Sequence, residues 1–370
     1  MIKTIQILFI FTIQFLIADE TETQNIYYLQ PGANLISFNV VPENSSVENV
    51  FLESSDQIST IISEGEISHH INDGWFGALN EINNENGYWV IANDFSIFSI
   101  NGMVSPPPLY VLNQGANLIS YPFSISGGLN DVLPFYIFDH LTGIVGQNEA
   151  AIFHEGQIYG SLTSFEPNKG YWFLMNDILP FTYNIPSQNH SLEILPELND
   201  ERIYPYNQSS KQSVFFVNQV FSNGELLNSD FYINVTCNET TVGGKFWNDT
   251  MTDIIAMGDD GFSDLTENYC LDNQQISMQI DIENNQIDMH IFGNDNWTNN
   301  NFSIISLSDY QLGDINFDNN INVTDIIISI EHIIENNILE NNHQLFLLDS
   351  NSDNIINITD IVFIVGLIIE

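Results

Sequence analysis

One offset organises the first half of the chain. Gly32-Ala33-Asn34-Leu35-Ile36-Ser37 recurs as Gly115-Ala116-Asn117-Leu118-Ile119-Ser120. Gly87-Tyr88-Trp89-Val90 recurs as Gly170-Tyr171-Trp172-Phe173, and Asn93-Asp94 as Asn176-Asp177. Gly77, inside Trp75-Phe76-Gly77-Ala78-Leu79, matches Gly160 inside Ile158-Tyr159-Gly160-Ser161-Leu162. The differences 115 − 32, 170 − 87, 176 − 93 and 160 − 77 are all 83. A single offset across four separate motifs predicts two tandem copies, over 27–104 and 109–186. Pro106-Pro107-Pro108 reads as a stiff, extended linker between them.

Each copy reads as β-rich. The Asn-Leu-Ile-Ser-aromatic and Gly-Tyr-Trp runs are short stretches of β-formers bounded by Gly and Asn. The pattern resembles a repeat common in secreted bacterial surface proteins, which carries no settled biochemical activity. Tyr88, Trp89, Tyr171 and Trp172 can be read as a sugar-stacking platform or as core. Neighbouring side chains on a strand point to opposite faces, and large aromatics are mostly buried in packed domains, so core is the expectation.

The charge excludes whole classes of function. The 370 residues carry 48 Asp+Glu against 5 Lys+Arg, a formal net charge of −43. Nucleic-acid binding needs cations to replace the counterions around phosphate, so no nucleic-acid partner is expected. Anionic membrane surfaces would repel the chain for the same reason. The hydrophobic fraction of 44% argues against disorder. Clustered carboxylates suit divalent cations instead.

Residues 1–18 combine Lys3 with a short apolar run ending at Ala18, the pattern of a signal peptide. The expectation is a secreted, extracellular or cell-surface chain with no transmembrane segment after signal cleavage. In an oxidising compartment Cys237 and Cys270 can pair; two buried thiols are the alternative.

Residues 206–308 read as a third unit. Ser213-Val214-Phe215-Phe216-Val217 and Gln279-Ile280-Asp281-Ile282 alternate as strands do. Asn223-Gly224-Glu225, Val242-Gly243-Gly244 and Gly258-Asp259-Asp260-Gly261 follow one another in an order that resembles a small β-sandwich module of secreted multi-domain bacterial proteins. Asp259 and Asp260 are read as a tight turn rather than a cation site.

The most specific signal is at the C-terminal end. Residues 314–325 and 349–360 are two twelve-residue, oxygen-rich loops 35 positions apart (349 − 314). Calcium takes six to eight oxygen ligands. Side chains at positions 1, 3, 5 and 12 are Asp314, Asn316, Asp318 and Asp325, then Asp349, Asn351, Asp353 and Asp360. Asn320 and Ile355 stand where a backbone carbonyl would ligate, and Asn322 and Asn357 where a water would bridge. Ile321 and Ile356 are expected to join the loops by a short β contact. Helices are predicted over 325–336 and 360–369. Ile326, Ile327, Ile328, Ile330, Ile333 and Ile334 are expected mostly in the core, with a docking face as the alternative for some of them.

This pair, over 312–370, resembles a dockerin, the calcium-dependent docking module of cellulosome-type and other extracellular assemblies. The resemblance implies Ca2+ as cofactor, the twelve residues just named as its site, and a cohesin-like or other scaffold or surface protein as partner. Two features depart from the usual pattern. Asn319 and Asn354 replace glycine at position 6, and Val323-Thr324 and Ile358-Thr359 stand at the partner-reading positions.

The sequence contains no G-x-S-x-G, no H-E-x-x-H and no Gly-rich phosphate loop. His154-Glu155 lacks a second His, and His69-His70 reads as surface. The fold expected is multi-domain and mainly β: two tandem repeats, a β-sandwich-like module and a small α-helical dockerin. The function expected is that of a secreted, non-catalytic calcium-binding protein that docks to a scaffold or surface. The rival is a component of polysaccharide degradation, either carbohydrate-binding or associated with a glycoside hydrolase, anchored by the same module.

Overall fold

A computed structural model describes residues 22–187, 203–228, 231–248, 251–283 and 285–369. The signal-peptide expectation for 1–18 lies outside them. The chain is mainly β, with three α-helices at its C-terminal end: Val323–Ile333, Asn342–Leu348 and Ile358–Ile369. Among the described residues no helix is long and apolar enough to cross a membrane.

The first five-stranded antiparallel sheet runs Gly32–Ser37, Gly87–Ala92, Ile58–Ser63, Glu66–Ile71, Gly74–Gly77 in hydrogen-bonding order. The second runs Gly115–Ser120, Gly170–Met175, Leu141–Val145, Ala150–His154, Gln157–Tyr159. Each faces a smaller sheet. Thr23–Leu29 pairs with Ser96–Val104, and Tyr110–Leu112 pairs with Leu179–Phe181. The stacked rings Tyr27/Phe98 and Tyr110/Phe181 occupy matching places in these pairs, with centroids 4.7 and 5.2 Å apart.

The recurring motif residues have local jobs. The buried Asn34 side chain accepts from the Gln30 amide (2.8 Å) and donates to the Val90 carbonyl (3.3 Å). Asn117 accepts from the Asn113 amide (2.7 Å) and donates to the Phe173 carbonyl (3.3 Å). Each Asn thus pins the loop before its strand to the neighbouring strand, and its polar atoms are satisfied in the interior. The hydroxyl of Tyr88 accepts from the Asn83 amide (2.9 Å), and that of Tyr171 from the Glu166 amide (2.8 Å).

The two sheets meet around an approximate two-fold relation. Ile36 bridges to Lys169, and Ile119 bridges to Asn86. The Leu35 amide donates to Gln147 Oε1 (2.9 Å), and the Leu118 amide to Glu64 Oε2 (3.0 Å). A Cβ on Gly170 would stand 2.8 Å from the Ile36 carbonyl oxygen and 3.1 Å from Gly87 Cα, so only glycine permits this approach. Between the sheets lie Ala33, Leu35, Trp89, Ile91 and Leu118, with Ile62 and Trp172 against them. The copies therefore share buried surface, which a proline linker between separate beads would not require.

The third unit is an eight-stranded sheet. Its path runs Glu225–Leu226, Gln212–Ser222, Phe302–Ser308, Asn285–Gly293, Ser277–Ile282, Tyr232–Cys237, Thr240–Phe246, and Thr252–Met257 pairs with Gln212–Ser222 off that path. Gln212–Ser222 and Phe302–Ser308 are parallel. Thr240–Phe246, at one end of that path, closely approaches Thr252–Met257: a Cβ on Gly243 would stand 2.3 Å from the Ile255 carbonyl oxygen. Cys237 and Cys270 are disulfide-bonded, with Cα atoms 5.4 Å apart, which settles the open alternative.

The eight-stranded sheet and the second five-stranded sheet share one core, in which Val145, Ala150, Ile152 and Leu174 lie with Val214 and Phe216. A buried carboxylate stitches the seam. Asp253 accepts from the Ala150 amide (3.0 Å), the Ser161 amide (2.9 Å) and hydroxyl (2.7 Å), and Lys245 Nζ (3.0 Å to each oxygen). A charge can be buried here because every one of these donors faces it.

Candidate metal centre

The C-terminal loops are built from short polar residues that fold back on their own backbone. In the first, Asp314 accepts from the Asp318 amide (3.1 Å) and the Asn319 amide (2.8 Å). Asp325 accepts from the amides of Ile315 (2.9 Å), Asn316 (3.2 Å) and Asn322 (2.9 Å). Asn316 Nδ2 donates to Asp318 Oδ2 (2.9 Å), and Asn322 Nδ2 to the Asn320 carbonyl (3.0 Å).

The second loop repeats the scheme. Asp349 accepts from the amides of Asp353 (3.1 Å) and Asn354 (2.9 Å). Asp360 accepts from those of Asn351 (3.4 Å) and Asn357 (2.8 Å). Asn351 donates to Asp353 (3.0 Å), and Asn357 to the Ile355 carbonyl (3.0 Å). Asn319 and Asn354 both have φ 63°, the left-handed backbone that asparagine tolerates better than most residues.

A helix follows each loop. Asn322 and Asp325 form a reciprocal capping box at the start of Val323–Ile333. Both helices begin two residues before the predicted 325 and 360, because the caps precede the position-12 acids. A further short helix, Asn342–Leu348, lies between them. Its signal is Asn341, whose side chain accepts from the His343 and Gln344 amides, followed by Leu345, Leu347 and Leu348.

Among the described residues no β-bridge joins Ile321 to Ile356; both side chains instead pack on the small core of Ile315, Leu348 and Ile364. The amides and carbonyls flanking them are taken up within each loop. None of the six isoleucines over 326–334 is fully buried, and Ile327, Ile330 and Ile334 are 51%, 41% and 64% exposed. The core beneath is too small to cover a helix that is apolar on more than one side.

The electrostatics are those of carboxylates without cationic neighbours. Asp314 and Asp325 are buried, at 1% and 0% exposure. Burial holds the Asp314 carboxyl above its usual range; nearby Asp325 and Asp318 push the same way, and the two donating amides oppose them. Residues 246–370 contain neither Lys nor Arg. The donor set is all oxygen, which suits a hard dication. Among the described residues no three Asp, Glu, His or Cys side chains gather as a metal-holding group. The carboxylates at positions 1, 5 and 12 are linked through backbone amides, not brought into one cluster. A cleft of about 430 Å³ borders the first loop, lined by His290, Asp295, Gln311, Phe363 and Leu367 among others.

The remaining candidates fall to structural roles. Tyr88, Trp89 and Tyr171 are buried, and Trp172 is half-buried against the inter-copy core. Asp259 and Asp260 accept from amides of their own turn, Gly261 (2.9 Å) for one and Phe262 (2.9 Å) and Ser263 (3.0 Å) for the other. His69 contacts Thr60 at 3.0 Å, while His70 packs on Trp75. No family model, no curated protein and no solved structure matches this chain.

Proposed function

We propose that residues 312–370 are a calcium-dependent docking module on an exported, non-catalytic β protein. Each loop takes one Ca2+. The first would hold it through Asp314, Asn316, Asp318 and Asp325, with the Asn320 carbonyl and a water on Asn322. The second would use Asp349, Asn351, Asp353, Asp360, the Ile355 carbonyl and Asn357. The supporting observation is the pair of loops with one internal hydrogen-bond scheme, rich in carboxylates, in a stretch without Lys or Arg. A dication offsets carboxylate repulsion that no side chain here can offset.

The exposed apolar residues of the two longer helices support docking, since contiguous apolar surface on a soluble chain commonly marks an interaction site. A cohesin-like or other scaffold protein outside the cell is the partner class this reading implies. Titration calorimetry on the full chain tests the cation: binding to both loops is expected, and to neither in Asp314→Ala plus Asp349→Ala. Absence of heat in the wild type, or unchanged heat in the variant, removes the reading.

A further inference from the structure

The two loops share most of their internal hydrogen bonds, and among the positions where they differ is the fourth, Phe317 in the first and Ser352 in the second. Both have left-handed backbone, with φ 62° and 57°. A bulky residue in this region is a genuine outlier and persists only where its surroundings determine it. The Phe317 ring lies 4.9 Å from that of Tyr310 and 4.9 Å from that of His343. It also covers the Gly224 turn, where a Cβ would be 3.4 Å from Phe317 Cε2.

These contacts belong to a junction. His343, fully buried, stacks on Phe221 at 4.9 Å and places Nε2 2.7 Å from the Ser308 hydroxyl. Asn341 Nδ2 donates to the Gly224 carbonyl at 2.8 Å. Phe346 packs on Phe221 (4.8 Å) and Phe292 (5.3 Å). Phe221, Gly224, Phe292 and Ser308 all lie in the eight-stranded unit. Among the described residues, loop 349–360 makes none of these ring contacts.

We propose that the first loop is a clasp between the C-terminal helices and the eight-stranded unit, set by its cation. Asn316 and Asp318, ligand positions 3 and 5, flank Phe317 directly. A cation held by both side chains would keep the Phe317 backbone in its left-handed conformation and so hold its ring on His343, Tyr310 and Gly224. Loading the second loop stiffens the helices and leaves the junction as it was. The coupling is therefore one-sided: one cation orients the docking helices on the β body, and the other does not. The proposal rests on the reading of both loops as calcium sites.

Hydrogen exchange on the full chain, with calcium and with chelator, tests it alongside calorimetry. In wild type, calcium is expected to slow exchange about tenfold or more both in the loops and in the 221–227 turn. Phe317→Ser, which copies the second loop, should still bind calcium at both loops but leave the turn unresponsive. Asp325→Ala should abolish the response of the turn, and Asp360→Ala should preserve it. Calcium binding with no response of the wild-type turn overturns the clasp alone, as does a wild-type response in Phe317→Ser. Absence of calcium binding removes the clasp together with the reading beneath it.

Discussion

The two five-stranded sheets with their partner strands and the C-terminal helices solve the problem of stability in opposite ways. The sheets bury aromatics wholesale: Tyr27, Phe38, Phe51 and Tyr88 in one core, Tyr110, Tyr121, Phe165 and Phe173 in the other, and Trp89 where they meet. The helices surround a core of three fully buried side chains, Ile315, Leu348 and Ile364. Apolar burial is worth roughly 25 cal/mol per Å², so the first region holds itself together by area. The second has little area to use and leaves much of its isoleucine outside. Its order depends on loop hydrogen bonds, on the junction with the eight-stranded unit and, on the present proposal, on cations.

The largest effect should come from breaking the first region. Trp89→Ala empties the space between the two sheets and is expected to cost about 3–5 kcal/mol. Denaturant unfolding followed by far-ultraviolet dichroism measures it, and calcium binding should be unchanged. A cost below about 1 kcal/mol would show that the inter-copy core carries little.

Removing the Cys237–Cys270 bond, which spans 33 residues, should cost about 3–4 kcal/mol by the loop-closure relation. The same measurement on Cys237→Ala plus Cys270→Ala checks this, with the change confined to the eight-stranded unit.

Acidification should separate the regions by sign. Burial pushes His343 down to about 4 from 6.5, with Asp309 opposing. The folded state then binds fewer protons than the unfolded state, so stability present above 6.5 is lost as pH falls toward 4. Burial pushes Glu149 up to about 7 from 4.5, against a lowering by Lys169. Its folded state binds more protons, so stability present below 4.5 is lost as pH rises through 7. Melting between pH 4 and 7 of wild type, His343→Gln and Glu149→Gln isolates the two. Each substitution should flatten its own slope, and identical slopes in all three would refute the assignment.

The smallest effect is expected on the exposed helix face. Ile330→Ser should change stability by no more than about 0.5 kcal/mol, since the side chain is already 41% exposed. A loss several times larger would mean that the helices hold a core this comparison denies them.

Much of the first region was legible in the sequence. Gly32–Ser37 and Gly87–Ala92, with their counterparts 83 residues on, are strands because their β-formers sit between Gly and Asn. The motif Asn and Tyr recur because each closes a local hydrogen bond, and local bonds leave local signatures. The oxygen spacing of the C-terminal loops is likewise local, and their internal bonds span five residues or fewer at one end and ten at most. The helix Asn342–Leu348 is not legible in the sequence, because its 7 residues give too short a period to read.

What the chain alone determined is what repeats along it: strand runs, turn residues, cap asparagines and the acids of two loops. Tertiary structure decided how those pieces meet. It set the copies around an approximate two-fold with Gly87 and Gly170 at the contact, paired Cys237 with Cys270, and ran Gln212–Ser222 parallel to Phe302–Ser308. It turned Phe317, an isolated aromatic in a run of Asp and Asn, into a bridge to His343 and Tyr310. The physical reason is range. Propensity and short-range hydrogen bonds are written in neighbouring residues, whereas which apolar surfaces cover one another depends on shape and area that no window of sequence contains.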